Sequence, residues 1–174
     1  MLSNYSFFVV LSFIIRLQCL QQRSFRKVLI SCILSTDMSF HFDLIAQVEK
    51  IGKSVTGFGD APADKLTYCN LILKLSDLSG PCKRFVTAKR WASLVIEEFN
   101  AQVAKEREQG LPFLPFMDLP DEKAMCDSEI NFLSAVILPL YEAVIPVWED
   151  CQFLADQASS NLNSWKELKS KLIL

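Results

Sequence analysis

Lys74-Leu-Ser-Asp77-Leu-Ser-Gly-Pro81, then Lys89-Arg-Trp91, Glu97-Glu-Phe99, Gly110-Leu-Pro112, Ser128-Glu-Ile-Asn-Phe132 and Pro139-Leu-Tyr141, form the ladder that decides the reading of this chain. Most of its rungs sit on or beside runs whose apolar residues recur three and four positions apart, the spacing of one helix face. Leu66, Cys69, Leu71, Ile72, Leu73 and Leu75 lead into the first rung and predict a helix capped by Asp64 and stopped at Gly80-Pro81. A helix this apolar belongs at the centre of a bundle, buried nearly all round, which puts Asp77 at its C-terminal end facing the enclosed cavity. Trp91, Leu94, Val95, Phe99 and Val103 predict the buried stripe of a long helix from a Thr87 cap to about Gln109, closed by Gly110.

Outward from there the helical period continues. Three prolines between 111 and 120 predict an extended loop. Asp127 or Ser128 then starts a helix through Phe132, Val136, Leu140 and Val144, kinked at Pro139 and Pro146, and a last helix covers about 160–172. Upstream, 20–34 reads as a helix, and Ser35 or Thr36 caps a second segment through Phe40, Phe42, Leu44, Ile45 and Val48. The three glycines and the proline of 52–62 mark a loop. Nothing reads as a strand, so the class is all-α, a compact helical bundle.

With 174 residues and 51% apolar composition, the chain has the size of one domain and material for a core. Net charge is −2 and the basic residues are scattered among acidic ones, which argues against nucleic acid as a partner. Cys19, Cys32, Cys69, Cys82, Cys126 and Cys151 form no C-x-x-C pair, and reduced thiols in a cytoplasmic protein are the expectation. His41 is the single histidine, so a metal site needing several imidazoles cannot be built by this sequence alone. Residues 1–19 differ from the rest: Phe7-Phe-Val-Val-Leu-Ser-Phe-Ile-Ile15 is apolar, but shorter than the roughly 20 residues a spanning helix needs. The run has the length of a signal-peptide core but no basic residues before it. A mistaken or alternative start is the preferred reading of 1–19, with membrane or secretory targeting as the alternative.

The ladder resembles the C-terminal part of the class I 3′,5′-cyclic nucleotide phosphodiesterase catalytic domain, over about residues 20–174. Ser35-Thr36-Asp37-Met38-Ser39-Phe40-His41-Phe42 matches that family's T-D-M-S-x-H. Lys74 to Pro81 matches K-x-A-D-[IL]-S-N-P, Trp91 to Phe99 matches W-x(5)-E-E-F, and Ser128 to Phe132 matches S-Q-x-x-F. The resemblance implies hydrolysis of cAMP, cGMP or both to the 5′ monophosphate by a two-metal site, zinc plus magnesium or manganese. It implies that Asp77 is a zinc ligand, that Phe132 packs on the purine ring, and that Val95 and Phe99 line the base slot.

Two departures matter for the base. Glu129 stands where the family has its purine-binding Gln; an amide can donate or accept, whereas an ionised carboxylate only accepts. Gly80 replaces the Asn of D-[IL]-S-N-P. The family's upstream H-N-x-x-H and H-D motifs, which supply the other ligands and the histidine acid, have no match here, so no catalytic residue is assigned and the chain alone is expected to be inactive. His41 is read as a packed, hydrogen-bonded residue, and Glu97 and Glu98 as helix surface. Loss of the helices that cover the Asp77 helix in the family implies exposed apolar surface and homo-oligomerisation. The competing reading is a non-catalytic helical module, derived from the enzyme, that binds a nucleotide or a protein.

Overall fold

The computed structural model describes residues 19–53 and 62–172, and all regular structure among them is helical. In chain order the helices are α1 Cys19–Ser35, α2 His41–Gly52, α3 Pro62–Asp77, α4 Phe85–Glu108, α5 Glu122–Phe132, α6 Leu138–Val144 and α7 Gln152–Lys171. The apolar run at 7–15 and most of the loop at 52–62 lie outside the described residues.

The core sits where α5, α6 and α7 meet α2. Leu133, Ile137, Leu140, Tyr141 and Val144 are fully buried, and Ala158, Leu162 and Trp165 close over them from α7. The Trp165 ring meets Phe85 edge-on with centroids 5.2 Å apart, which fastens the start of α4 to α7. Pro139 has no N–H to offer the Ala135 carbonyl, and its ring crowds the same group. The chain responds by widening into a π-turn over Leu133–Ile137, without breaking, so α5 and α6 continue as one bent rod. Pro146 acts differently: α6 ends at Val144, and a turn leads to the short 3-10 segment Glu149–Cys151 before α7.

Two buried polar side chains fix the corners. Asn161 on α7 donates through Nδ2 to the carbonyls of Pro81 and Lys83, both at 2.7 Å, and so holds the α3–α4 turn. Lys74 on α3 is fully buried, and its Nζ donates to the Thr36 carbonyl at 2.8 Å and the Asp37 carbonyl at 3.4 Å. The α1–α2 corner is thereby tied to α3. Desolvation lowers the Lys74 pKa, opposed by the nearby carboxylates of Asp77 and Asp37.

Several expectations are corrected. α3 is not buried all round: Leu71, Lys74, Leu75 and Leu78 are buried, while Ile72 and Leu73 remain 39% and 37% exposed. Its main described neighbours, α1 and α2, cover only one side. The stripe of α4 differs in the same way, with Ala88, Ala92 and Val103 buried, while Trp91, Leu94 and Val95 stay exposed. Small alanines let α4 approach the bundle closely, and the larger side chains are left outside.

The caps move as well. Asp37, and neither Ser35 nor Thr36, accepts the Ser39 N–H at 2.8 Å. Ser35 and Thr36 instead donate back to the Cys32 and Ile33 carbonyls at 2.7 and 2.8 Å, closing α1. Asp64 lies inside the first turn of α3, and the cap position of α4 is Arg84, before Thr87. α5 starts at Glu122, where Asp121 accepts from the Ala124 N–H at 2.7 Å, and α7 starts eight residues before the expected Ser160. Gly110 closes α4 as read from the sequence, with φ +66°.

Asn161→Ala strands two carbonyls that Asn161 alone holds from this side, so it should destabilise the fold by about 2–3 kcal/mol in urea unfolding. Asn163→Ala on the exposed side of α7 should stay within about 0.5 kcal/mol of wild type. Equal effects of the two would remove the corner-holding role.

Candidate functional site

The site residues come from three helices. Asp77 ends α3, Val95 and Phe99 lie midway along α4, and Glu129 and Phe132 lie in the last turn of α5. α4 and α5 are brought side by side at their first halves, where Lys89 Nζ meets Glu122 Oε1 at 2.9 Å and the Ser93 hydroxyl lies 4.0 Å from Met125 Sδ. Glu129 and Phe132, three residues apart, share a face one and two turns further along.

Phe132 is half-buried against the core, together with Ile96 from α4 and Ile130. Val95 is 43% exposed on the outer side of α4. Phe99 is half-buried and stands edge-on to Phe116 with centroids 6.3 Å apart. Phe116 belongs to the α4–α5 loop, which is fastened back onto α4 at two places. Asn100 donates to the Leu119 carbonyl at 2.8 Å and accepts the Leu119 N–H at 2.9 Å. Arg107 lies 4.5 Å from the centre of the Phe113 ring and pairs with Asp118. The aromatic wall at Phe99 is therefore held by a pinned loop.

Glu129 is the electrostatic feature of this region. Burial raises its pKa to about 7, and no cation beside it opposes the shift. Near neutral pH the carboxyl is divided between a form that only accepts hydrogen bonds and one that also donates.

Asp77 is placed apart from these groups. It is exposed at the end of α3, and that helix packs mainly on α1 and α2, away from α5. The expectation that it faces an enclosed cavity is corrected, since α3 is covered on one side only. Among the described residues no three His, Cys, Asp or Glu side chains gather in a group that could hold a metal ion. The residues present thus do not make a metal site by themselves.

His41 is turned inward and fully buried, its Nε2 lying 3.2 Å from the Val136 carbonyl in the π-turn and its Nδ1 without a partner. Desolvation and the Lys74 ammonium lower its pKa, so the ring is a neutral packing element. Glu97 and Glu98 are exposed on α4. An open cleft of about 570 Å³ at the start of α4, lined by Phe85, Val86, Thr87, Lys89, Arg90 and Ser93, contains none of the site residues.

Sequence reasoning missed Lys74, Asn100 and Asn161. A lysine inside a run such as Leu71-Ile-Leu-Lys-Leu75 is itself a signal, because an ammonium on an apolar face needs carbonyl partners. Nothing local marks Asn100 or Asn161, whose partners are 19 and about 80 residues away.

Helices in this order around a half-exposed aromatic slot define part of a nucleotide-hydrolase fold of all-α class. The chain belongs to the 3′5′-cyclic nucleotide phosphodiesterase family, whose family model matches residues 10–158. It is 32% identical over 155 residues to a Drosophila melanogaster 3′,5′-cyclic-AMP phosphodiesterase, isoform F, covering 85% of this chain and 23% of that protein. It is 35% identical over 119 residues to the Drosophila high affinity cGMP-specific 3′,5′-cyclic phosphodiesterase 9A, covering 68% of this chain and 8% of the relative. The crystal structure of the phosphodiesterase domain of Salpingoeca rosetta rhodopsin phosphodiesterase superposes with a TM-score of 0.84 at 31% identity, covering 90% of this chain and 48% of that one. The chain therefore spans about half of that solved domain, and less than a quarter of either Drosophila relative.

A carboxyl whose folded pKa is raised gives a definite sign for stability. Full stability is present below the unfolded value of 4.5 and is lost as pH rises through about 7. Glu129→Gln should gain stability relative to wild type between pH 5 and pH 7.5, measured as the change in urea midpoint difference. A difference that stays constant or shrinks over that range would show that Glu129 is solvated.

Proposed function

We propose that this chain is the base-binding part of a phosphodiesterase catalytic domain that hydrolyses cAMP, cGMP or both to 5′ monophosphates in signal transduction. The observation that carries the reading is the family match over residues 10–158. Family domains bind divalent metals, and in this reading zinc with magnesium or manganese supplies the hydroxide that attacks phosphorus. Asp77 contributes one carboxylate to that site in the complete domain. Because the residues present do not complete a site, no step is assigned to this chain beyond holding the base: Phe132 packs on the ring, Val95 and Phe99 border it, and Glu129 meets its edge. The same reading places the protein in the cytoplasm, supported by Cys32, Cys69, Cys82, Cys126 and Cys151 all being free thiols.

A second reading, a non-catalytic helical module, is favoured by one observation, the lack of a metal-holding cluster among the described residues. In both readings the chain as it stands should turn over neither cAMP nor cGMP with zinc and magnesium added. Metal-dependent turnover that disappears in Asp77→Ala would contradict this. The readings part in the complete domain, where only the first expects turnover.

Glu129 sets the selectivity of that domain. The ionised carboxylate accepts from the N1–H and N2–H groups of guanine and repels N1 of adenine, whereas the protonated acid donates to adenine N1. The cGMP:cAMP ratio of kcat/KM should rise from pH 6 to pH 8 and flatten in Glu129→Gln. The buried group at stake is worth about 1–3 kcal/mol, roughly 5- to 150-fold in that ratio. A ratio independent of pH and of this substitution would remove Glu129 from the base.

A further inference from the structure

We infer that the apolar band over the outer faces of α1 and α3 is a docking surface, and that its occupant is the helical half of a phosphodiesterase catalytic domain that this sequence does not contain. The inference rests on the family reading above and names the partner of the Asp77 face. On α1, Leu29, Ile33 and Leu34 are 45%, 56% and 58% exposed, and on α3 Ile72 and Leu73 are 39% and 37% exposed. The two helices lie against each other, joined by the Ser31 hydroxyl donating to Asn70 Oδ1 at 3.3 Å, so these residues stand on neighbouring rods. Soluble monomers rarely show contiguous apolar patches beyond about 300–600 Å², and larger ones mark sites where another body packs.

The identity of that body follows from coverage. Ninety per cent of this chain superposes on a solved phosphodiesterase domain at TM-score 0.84, yet accounts for 48% of it. About as much protein again therefore completes that fold. The inner faces of α2, α5, α6 and α7 are already spent on the core described above. The outer faces of α1 and α3 are not. Asp77 adds a chemical argument. It is exposed four residues after Leu73, so the two side chains share one side of α3. A body seated on Leu73 comes up beside the one carboxylate that the family motif assigns to a metal, which is where its own histidine and aspartate ligands are needed. A second copy of this chain has one histidine, already buried under Val136, and cannot supply them.

The test is co-expression of this chain with the half of the Salpingoeca rosetta phosphodiesterase domain that it does not match. A one-to-one complex is expected by size exclusion with mass detection. Ile33→Glu or Leu73→Glu should weaken it at least tenfold, while Phe153→Glu, at a 67% exposed position on α7, should leave it intact. A single-chain fusion of that half ahead of residue 19 guards against its failing to fold alone, and should bind several-fold less hydrophobic dye than this chain by itself. The inference is overturned if the fusion binds dye as strongly as this chain does, if the two face variants assemble like wild type, or if the band instead drives self-association that Ile33→Glu abolishes. A stable complex that lacks cyclic nucleotide turnover would contradict the catalytic reading and leave the docking surface standing.

Discussion

The arrangement depends on one buried ammonium. Lys74 sits on the inner face of α3 among Leu71, Leu75 and Leu78, and its charge is satisfied by the carbonyls of Thr36 and Asp37. Burying an ammonium costs several kcal/mol unless its donors are met, and charge-assisted bonds to carbonyls offset that cost only in one geometry. The rotation of α3 about its axis is thereby set, and with it the outward direction of Leu73 and Asp77. The same contact fixes the corner at which the segments 21–35 and 38–52 meet at 88°. A lysine that could reach water would leave both orientations free.

From that anchor the molecule divides into a finished side and an unfinished one. The finished side is the bent α5–α6 rod, α7 and α2, where fully buried Leu133, Ile137, Tyr141 and Trp165 make an ordinary close-packed interior. The unfinished side carries Ile33 and Leu34 on α1, Leu73 on α3 and Trp91 on α4, all exposed. The residues matched to base recognition lie between the two: Phe132 leans on the finished core, while Val95 faces outward. Glu129 lies where burial is deep enough to hold its carboxyl near neutrality. The half that reads the base is thus largely preformed, and the half that would hold metal is represented by a single exposed carboxylate.

Much of this was legible from residue order. The extent of α1, the Gly110 stop of α4 and the bend near Pro139 follow from local chemistry, and the motif ladder located Asp77, Glu129 and Phe132. The losses have physical causes. Leu66 to Leu75 is apolar enough to be buried all round, and composition cannot say which neighbours are present, so the bare outer face of α3 was not visible. Asp121 follows Pro120 and reads as loop, although it caps α5, because Asp127 offers a rival cap one and a half turns later. On α4 the eye follows Trp91 and Leu94, whereas close packing selected Ala88 and Ala92. The identity of Glu129 was readable; its burial, which gives it its chemistry, belongs to the fold.

The most direct test of the account is a crystal structure of the completed domain with the product guanosine 5′-monophosphate bound. The account predicts the guanine edge within hydrogen-bonding distance of the Glu129 carboxyl, the Phe132 ring against the base, and Asp77 on a metal beside the phosphate. A base seated away from Phe132, with Glu129 turned to solvent and Asp77 unligated, would contradict it.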